Sequence, residues 1–133
     1  MEDVFVGQLM SEELATVDPD ALVEDAATLM LDRGISSVVV VDDQDRLEGI
    51  LTTTDFVRIV AEQKPKDQTP VSAYMTTDVK TAGAQDSVTD VADAMVEHGF
   101  HHVPVVDGEE VIGIITTTDL TAYVSQVQTP SPS

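Results

Sequence analysis

The sequence predicts a mixed α/β fold made of two copies of one β-α-β-β-α repeat. Residues 49–55 read GILTTTD and residues 113–119 read GIITTTD, identical at six of seven positions. Before each copy, apolar residues at helical spacing are followed by short β-branched runs, which indicates a helix and then buried strands. A fixed internal repeat indicates one structural unit used twice. Each copy has roughly 55 residues, a size at which a separate core is marginal, so we expect the two to share one core.

The first repeat owes its long helix to Val23, Ala26, Ala27 and Met30, which are spaced i, i+3, i+4 and i+7. Asp20 is the candidate cap at its start. The full set of predicted elements is a short helix over 4–10, an extended piece at 16–17, the long helix ending at Gly34, strands over 37–41 and 47–52, and a helix over 53–62.

The second repeat has the same order of elements. Its long helix carries Val88, Val91, Ala92 and Met95 at the same spacing and ends at Gly99. The other predicted elements are a short helix over 71–75, strands over 102–106 and 110–116 joined by a tight turn, and a helix over 117–127. We therefore predict repeat 1 over 1–63, a polar, proline-containing linker over 64–70, repeat 2 over 71–127 and a flexible tail over 128–133.

Composition narrows the classes of function. The net charge of −19, from 25 acidic and 6 basic residues, argues against nucleic-acid binding, which depends on Lys and Arg at phosphates. Acidic residues spread along the whole chain are typical of the solvated coat of a halophile protein. The absence of cysteine excludes disulfides and cysteine catalysis. No run approaches the roughly 18 apolar residues of a membrane span, so we expect a cytoplasmic protein without a membrane partner.

The repeated motif carries the candidate chemistry, because it places Thr116 and Asp119 where a strand meets a helix, as it does Thr52 and Asp55. These residues have two interpretations. Thr and an acid three residues later form a capping box at a helix start. The same groups also suit a nucleotide: helix-start N–H groups attract phosphate, and an ionised Asp accepts from both hydroxyls of a ribose. An apolar cleft beside them would hold the base.

The wider pattern resembles the cystathionine β-synthase (CBS) domain. The resemblance rests on residues 16–19, 34–42 and 49–55 in the first copy and on 99–107 and 113–119 in the second. It implies two repeats packed sheet to sheet as one pseudo-twofold module, and a homodimer of such modules. It further implies clefts between the repeats that bind AMP, ADP, ATP or S-adenosylmethionine as regulatory ligands. The two repeats account for nearly all of the given sequence, so we expect a separate effector protein to read the signal.

The resemblance also implies roles for individual residues. In the second repeat, Asp119 would bind the ribose hydroxyls and Thr116 a phosphate or the ribose. The backbone of Thr81 and Ala82 would line the adenine pocket, and His101, His102 and Val103 would border the phosphate path and the base. The corresponding residues of the first repeat are Asp55, Thr52, Thr16, Val17, Ser36, Ser37 and Val38. We favour the Asp119 cleft for a phosphorylated ligand, because histidines there can become cationic near neutral pH.

Three alternatives stay open. The module could be a structural dimerisation or protein-interaction unit with empty clefts, since Thr-x-x-Asp also caps helices. His98, His101 and His102 could converge on a metal, although His98 at a helix end needs no ligand and we expect no metal site. An enzyme is the least supported class, because the sequence has no Gly-rich phosphate loop and no nucleophile-elbow serine.

Overall fold

The computed structural model describes residues 4–127 and confirms the mixed α/β class. In chain order the elements are α1 (Val6–Leu9), β1 (Thr16–Val17), α2 (Val23–Arg33), β2 (Ser37–Val41), β3 (Leu47–Thr52), α3 (Thr53–Ala61), a 3₁₀ helix (Val71–Ala73), α4 (Val88–His98), β4 (His102–Asp107), β5 (Glu110–Thr116) and α5 (Thr117–Val127). The predicted tail over 128–133 lies outside the described residues.

The chain folds into two compact units that do not follow the sequence repeats. The first unit comprises Glu13–Val79 and Gly108–Val111. Within the described residues, the second combines residues 4–12 with Lys80–Asp107 and residues 112–127. The segment that leads into each repeat is therefore part of the unit built by the other repeat.

The first unit contains a three-stranded sheet in the order β1-β2-β3. β1 runs parallel to β2 and pairs Thr16 with Val39, while β2 runs antiparallel to β3 and pairs Ser37 with Thr52. Every residue of β2 is buried, as expected for a continuous β-branched strand covered on both faces. Helix α2 contributes Val23, Ala26 and Met30 to the core beneath this sheet, as their spacing predicted, whereas Ala27, predicted with them, is only half-buried.

The second unit has a two-stranded sheet of β4 and β5, and its counterpart of β1 is reduced to one bridge between Ala82 and Val105. Proline explains the difference. In the first unit the N–H of Val39 donates to the carbonyl of Ala15 at 2.9 Å. Pro104 occupies the equivalent position and has no N–H to donate, so the pairing shortens.

The glycine that opens each motif is needed for close backbone approach. The leading segment of repeat 2 pairs with β3, because Thr76 and Ile50 exchange two hydrogen bonds of 3.0 and 2.9 Å. A Cβ on Gly49 would lie 2.6 Å from the carbonyl oxygen of Thr76. The second unit repeats this geometry: a Cβ on Gly113 would lie 2.9 Å from the carbonyl oxygen of Ser11. A larger residue at either position has to displace backbone.

The predicted linker is an ordered part of the first unit. The carbonyl of Thr69 accepts from the N–H of Val23 at 2.9 Å, which satisfies an unpaired donor at the start of α2. The side chain of Thr69 is buried and donates to the carbonyl of Pro65 at 2.8 Å. The backbone of this segment therefore helps to satisfy the start of α2.

The helix ends agree with the sequence at the glycines and differ at Asp20. Gly34 and Gly99 have φ of +63° and +75°, the left-handed conformation that ends α2 and α4. Helix α2 begins after Leu22, so Asp20 is not its cap. Instead its N–H donates to Oδ1 of Asp18 at 3.0 Å, a local turn that precedes the helix.

Candidate functional site

In the second unit, Thr116 and Asp119 form a capping box at the junction of β5 and α5. Oδ2 of Asp119 accepts from the N–H of Thr116 at 2.9 Å and from its hydroxyl at 3.1 Å. The N–H of Asp119 points back to Oγ1 of Thr116 at 3.3 Å. The capping interpretation of the motif is thus realised in the geometry. None of the described residues donates to the other carboxylate oxygen, Oδ1, and the Asp119 side chain is only half-buried.

The first N–H groups of α5 are largely occupied by the protein itself. The N–H of Thr117 donates to the carbonyl of His101 at 3.0 Å. The N–H groups of Thr116 and Asp119 are used in the capping box. Because three donors already have partners, this helix start is a weaker anion site than the sequence suggested. The contact to His101 also fixes the start of β4 against the start of α5.

The first unit repeats the capping box but adds an arginine. Oδ2 of Asp55 accepts from the N–H of Thr52 at 2.8 Å and from its hydroxyl at 3.4 Å. Its other oxygen, Oδ1, forms an ion pair with the guanidinium of Arg58. Asp55 is 3% exposed. Both oxygens of this carboxylate are therefore engaged inside the protein.

Sequence reasoning missed Arg58, although a signal was present. Arg58 lies three residues after Asp55, a spacing that brings side chains together on a helix. The equivalent residue after Asp119 is Ala122. A comparison of the two repeats three positions beyond the motif would have exposed the difference.

Thr81 and Ala82 lie beside β4, and the backbone of Ala82 is hydrogen-bonded to that strand. Ala82 donates its N–H to the carbonyl of Pro104 at 3.0 Å and accepts from the N–H of Val106 at 2.9 Å. Both polar groups of Ala82 are therefore used. In extended backbone, successive residues direct these groups to opposite sides, so those of Thr81 face away from β4. Of the two residues, Ala82 is the one whose backbone groups are both engaged in the sheet.

His102, at the start of β4, is half-buried and His101 beside it is exposed. Burial, with a smaller contribution from repulsion by His101, lowers the pKa of His102 below its ordinary value. His102 is therefore neutral near neutral pH, which removes one reason for favouring a phosphate here. Val103 is fully buried in the core cluster of this unit, so its side chain faces the core and not a cleft.

The first unit places the corresponding residues at the same end of its sheet. Ser37 is buried and pairs across the strands with Thr52. Val38 is a core residue, like Val103. Thr16 and Ser36 are exposed, and Val17 is half-buried. In each unit, three features lie at one end of the sheet. They are the Thr and Asp of the motif, the first residues of β2 or β4, and the extended piece that precedes the long helix.

Of the three histidines considered for a metal site, His98 lies at the end of α4 and has a ring contact. The ring of His98 stacks on the ring of Phe100, with centroids 5.3 Å apart and an interplanar angle of 20°. Within residues 4–127, no group of three or more His, Asp or Glu side chains is arranged to hold a metal ion. His98 thus contributes a ring contact at the end of α4.

Comparison with known proteins gives consistent matches over nearly the whole chain. The family model of the CBS domain matches residues 6–62 and again 71–126. An uncharacterized 17.7 kDa protein of Acidianus ambivalens is 34% identical over 125 residues, which is 93% of this chain and 75% of the relative. The CBS domain-containing protein YhcV of Bacillus subtilis is 32% identical over 115 residues, 86% of this chain and 81% of YhcV.

A solved structure also resembles this chain closely. The CBS domain pair of protein MJ0100, in complex with 5′-methylthioadenosine and S-adenosyl-L-methionine, has a TM-score of 0.89 and 26% identity. The match covers 96% of this chain and 100% of that one.

Across the described helices of the present chain, none combines the length and the apolar character required to cross a membrane.

Proposed function

The chain belongs to the CBS domain family, and on that premise we propose that it is a regulatory module that binds an adenosine-containing ligand beside Asp119. The observation that carries the proposal is the arrangement of the Asp119 carboxylate. One oxygen is fixed by the capping box, and the other receives no hydrogen bond from the described residues. An ionised carboxylate held in this way is an acceptor for the two hydroxyls of a ribose.

Neighbouring groups support an adenosine. The backbone of Thr81 faces away from β4 and can pair with the edge of a purine. The structural neighbour MJ0100 is solved with two adenosyl ligands, 5′-methylthioadenosine and S-adenosyl-L-methionine. AMP, ADP, ATP and S-adenosylmethionine all share the nucleoside that these groups would recognise.

Electrostatics rank these ligands. The candidate site residues Thr81, His101, His102, Thr116 and Asp119 include no Lys or Arg, although the exposed Lys80 adjoins Thr81, and burial lowers the pKa of His102. The whole chain carries −19 charges, which repel ATP when salt is low. We therefore propose S-adenosylmethionine, which carries a sulfonium cation, ahead of the phosphorylated nucleotides.

Regulation would operate through differential affinity. A ligand that binds one conformation of the module more tightly shifts the population toward it, and a separate effector protein reads the change. We propose no catalytic activity for the module. A cytoplasmic location and an acidic coat adapted to high salt are consistent with this role.

Exposed apolar helix residues favour a homodimer. Leu31 of α2 is 83% exposed and Val60 of α3 is 76% exposed, and both line one groove of about 560 Å³ in the first unit. Large exposed apolar residues that share a groove indicate an interaction surface. A second copy of the chain would bury them, and this surface is also what a purely structural module would use.

A ligand screen tests the proposal. Thermal unfolding would be followed at about 1 M salt, where the Debye length falls to about 3 Å and long-range repulsion is screened. The ligands are S-adenosylmethionine, 5′-methylthioadenosine, AMP, ADP and ATP. A ligand at 100 times its dissociation constant should stabilise the folded state by about 2.7 kcal/mol.

Two variants give the screen its specificity. Asp119→Asn keeps an acceptor for the cap but loses the ionised carboxylate, so the ligand-induced shift should disappear. Asp93→Asn makes the same change of charge at an exposed position of α4 and should leave the shift intact. A flat screen with all five ligands, or a shift that survives in Asp119→Asn, would contradict the proposal and favour the structural module.

A further inference from the structure

We infer that Arg58 closes the Asp55 site of the first unit to ribose-containing ligands, so that each chain binds a single adenosyl ligand, at Asp119. This inference rests on the proposed function. It adds the residue that decides which of two near-identical motifs accepts a ligand.

The carboxylates of Asp55 and Asp119 differ in their capacity to accept hydrogen bonds from a ligand. A ribose diol donates two hydrogen bonds, and a carboxylate must offer outward-facing lone pairs to accept them. Asp119 has Oδ1 without a donor from the described residues. At Asp55, Oδ2 is taken by Thr52 and Oδ1 by the guanidinium of Arg58. A ligand at Asp55 would have to displace a cation.

The two aspartates also differ in how accessible their carboxylates are to a ligand in solvent. The side chain of Arg58 is 56% exposed, whereas that of Asp55 is 4% exposed. The exposed arginine contacts a buried carboxylate, so a ligand that approaches Asp55 from solvent would meet the guanidinium first. Asp119, whose helix carries no arginine at this spacing, is only half-buried.

Of the three differences between the two motif segments, the one at Arg58 accounts for both observations. The motifs read TTTDFVR in the first repeat and TTTDLTA in the second, with Arg58 matched to Ala122. Both residues are exposed on their helices, three positions after the aspartate. Exchanging these residues between the repeats should therefore exchange the accessibility of the two carboxylates.

The test measures stoichiometry by isothermal titration calorimetry with S-adenosylmethionine and, separately, AMP at high salt. The wild-type chain should bind one ligand per chain. Arg58→Ala should bind two, because it uncovers Asp55. Arg58→Gln serves as a second variant that keeps a long polar side chain without the charge, in case the alanine variant unfolds.

The reciprocal variant is Ala122→Arg. It places a guanidinium three residues after Asp119 and should weaken binding by about tenfold or more, the size expected when a charged acceptor is lost to a competitor. Thr121→Arg is the matched control. It adds the same charge one residue earlier, where the side chain does not face Asp119, and should leave the affinity within about twofold.

The outcomes separate this inference from the proposed function. Two ligands per wild-type chain, or one per chain in both wild type and Arg58→Ala, would overturn the role of Arg58 while the proposed function stands. Binding by Arg58→Ala but not by wild type would support the role of Arg58 and remove the Asp119 site. Binding by neither would overturn both.

Discussion

At the scale of single residues, identical motifs acquire different chemistry from their neighbours. Thr52 and Asp55 form the same capping box as Thr116 and Asp119, with N–H to carboxylate distances of 2.8 and 2.9 Å. In addition, Arg58 forms an ion pair with the carboxylate of Asp55. Capping and ligand binding are therefore compatible in the second unit, because the cap uses only one carboxylate oxygen.

His102 shows how burial at this scale affects stability. Its lowered pKa means that the folded chain holds this proton more weakly than the unfolded chain, where the value is near 6.5. Between these two pKa values the unfolded state binds more protons, so stability rises with pH. The contribution is fully present above 6.5 and is lost as pH falls through the folded pKa.

We predict that His102→Asn loses less stability than wild type when the pH falls from about 7.5 to about 5.5, because the variant has no imidazole to protonate. Urea unfolding at each pH measures the effect. At about pH 8 the imidazole is neutral in both states, so the pH-independent cost of the substitution is read there. Parallel pH curves for the two proteins would contradict the prediction.

At the scale of elements, the leading segments and the motif glycines depend on each other. Met75 and Met10 lie against Gly49 and Gly113, with sulfur atoms 3.0 and 2.8 Å from a Cβ built there. The adjoining residues pair with β3 and β5. The glycine at the first position of each motif therefore leaves room for the leading segment that packs against it. The aspartate at the last position caps the following helix.

We predict that Gly49→Ala and Gly113→Ala each cost about 1–3 kcal/mol, as overpacking against fixed backbone does. Gly83→Ala is the control, because a Cβ there meets only the Asp86 carboxylate at 3.7 Å, an ordinary contact. Urea denaturation midpoints compare the three variants. A Gly83→Ala variant as unstable as the other two would show that the loss has another cause.

At the scale of the whole molecule, net charge and exposed apolar surface determine how the protein responds to salt. The described residues form ion pairs at Arg46 and Arg58, which engage few of the 25 acidic residues. Self-repulsion of the remaining charge weakens as salt rises. The groove that contains Leu31 and Val60 combines apolar side chains with Glu24, Lys64 and Lys66, and burial of its exposed apolar residues should be favoured at high salt.

We predict that Leu31→Glu and Val60→Glu convert a dimer to a monomer, because each would bury a charge in an apolar interface. Light scattering coupled to size exclusion at high salt should show the mass fall from twice the chain mass to 14.2 kDa. Gln44→Glu adds the same charge at an exposed turn and should remain dimeric. A wild-type chain that is already monomeric would count against the homodimer.

The sequence by itself determined the repeat, the fold class and the order of elements. Helical spacing placed Val23, Ala26 and Met30 in the core, and left-handed glycines at 34 and 99 ended two helices as predicted. These features depend on local periodicity and on backbone conformations that few residues adopt, so they can be read from the chain alone.

Tertiary structure decided what each repeat is packed with and how deeply the motif residues are buried. Pairing of Thr76 with Ile50, and of Ser11 with Ile114, assigned each leading segment to the opposite unit, and local periodicity contains no information about such pairing. The lowered pKa of His102 follows from its burial in the folded chain. The ion pair at Asp55 is local, since Arg58 lies three residues further along the same helix, whereas the burial of Asp55 to 3% exposure is a product of tertiary packing.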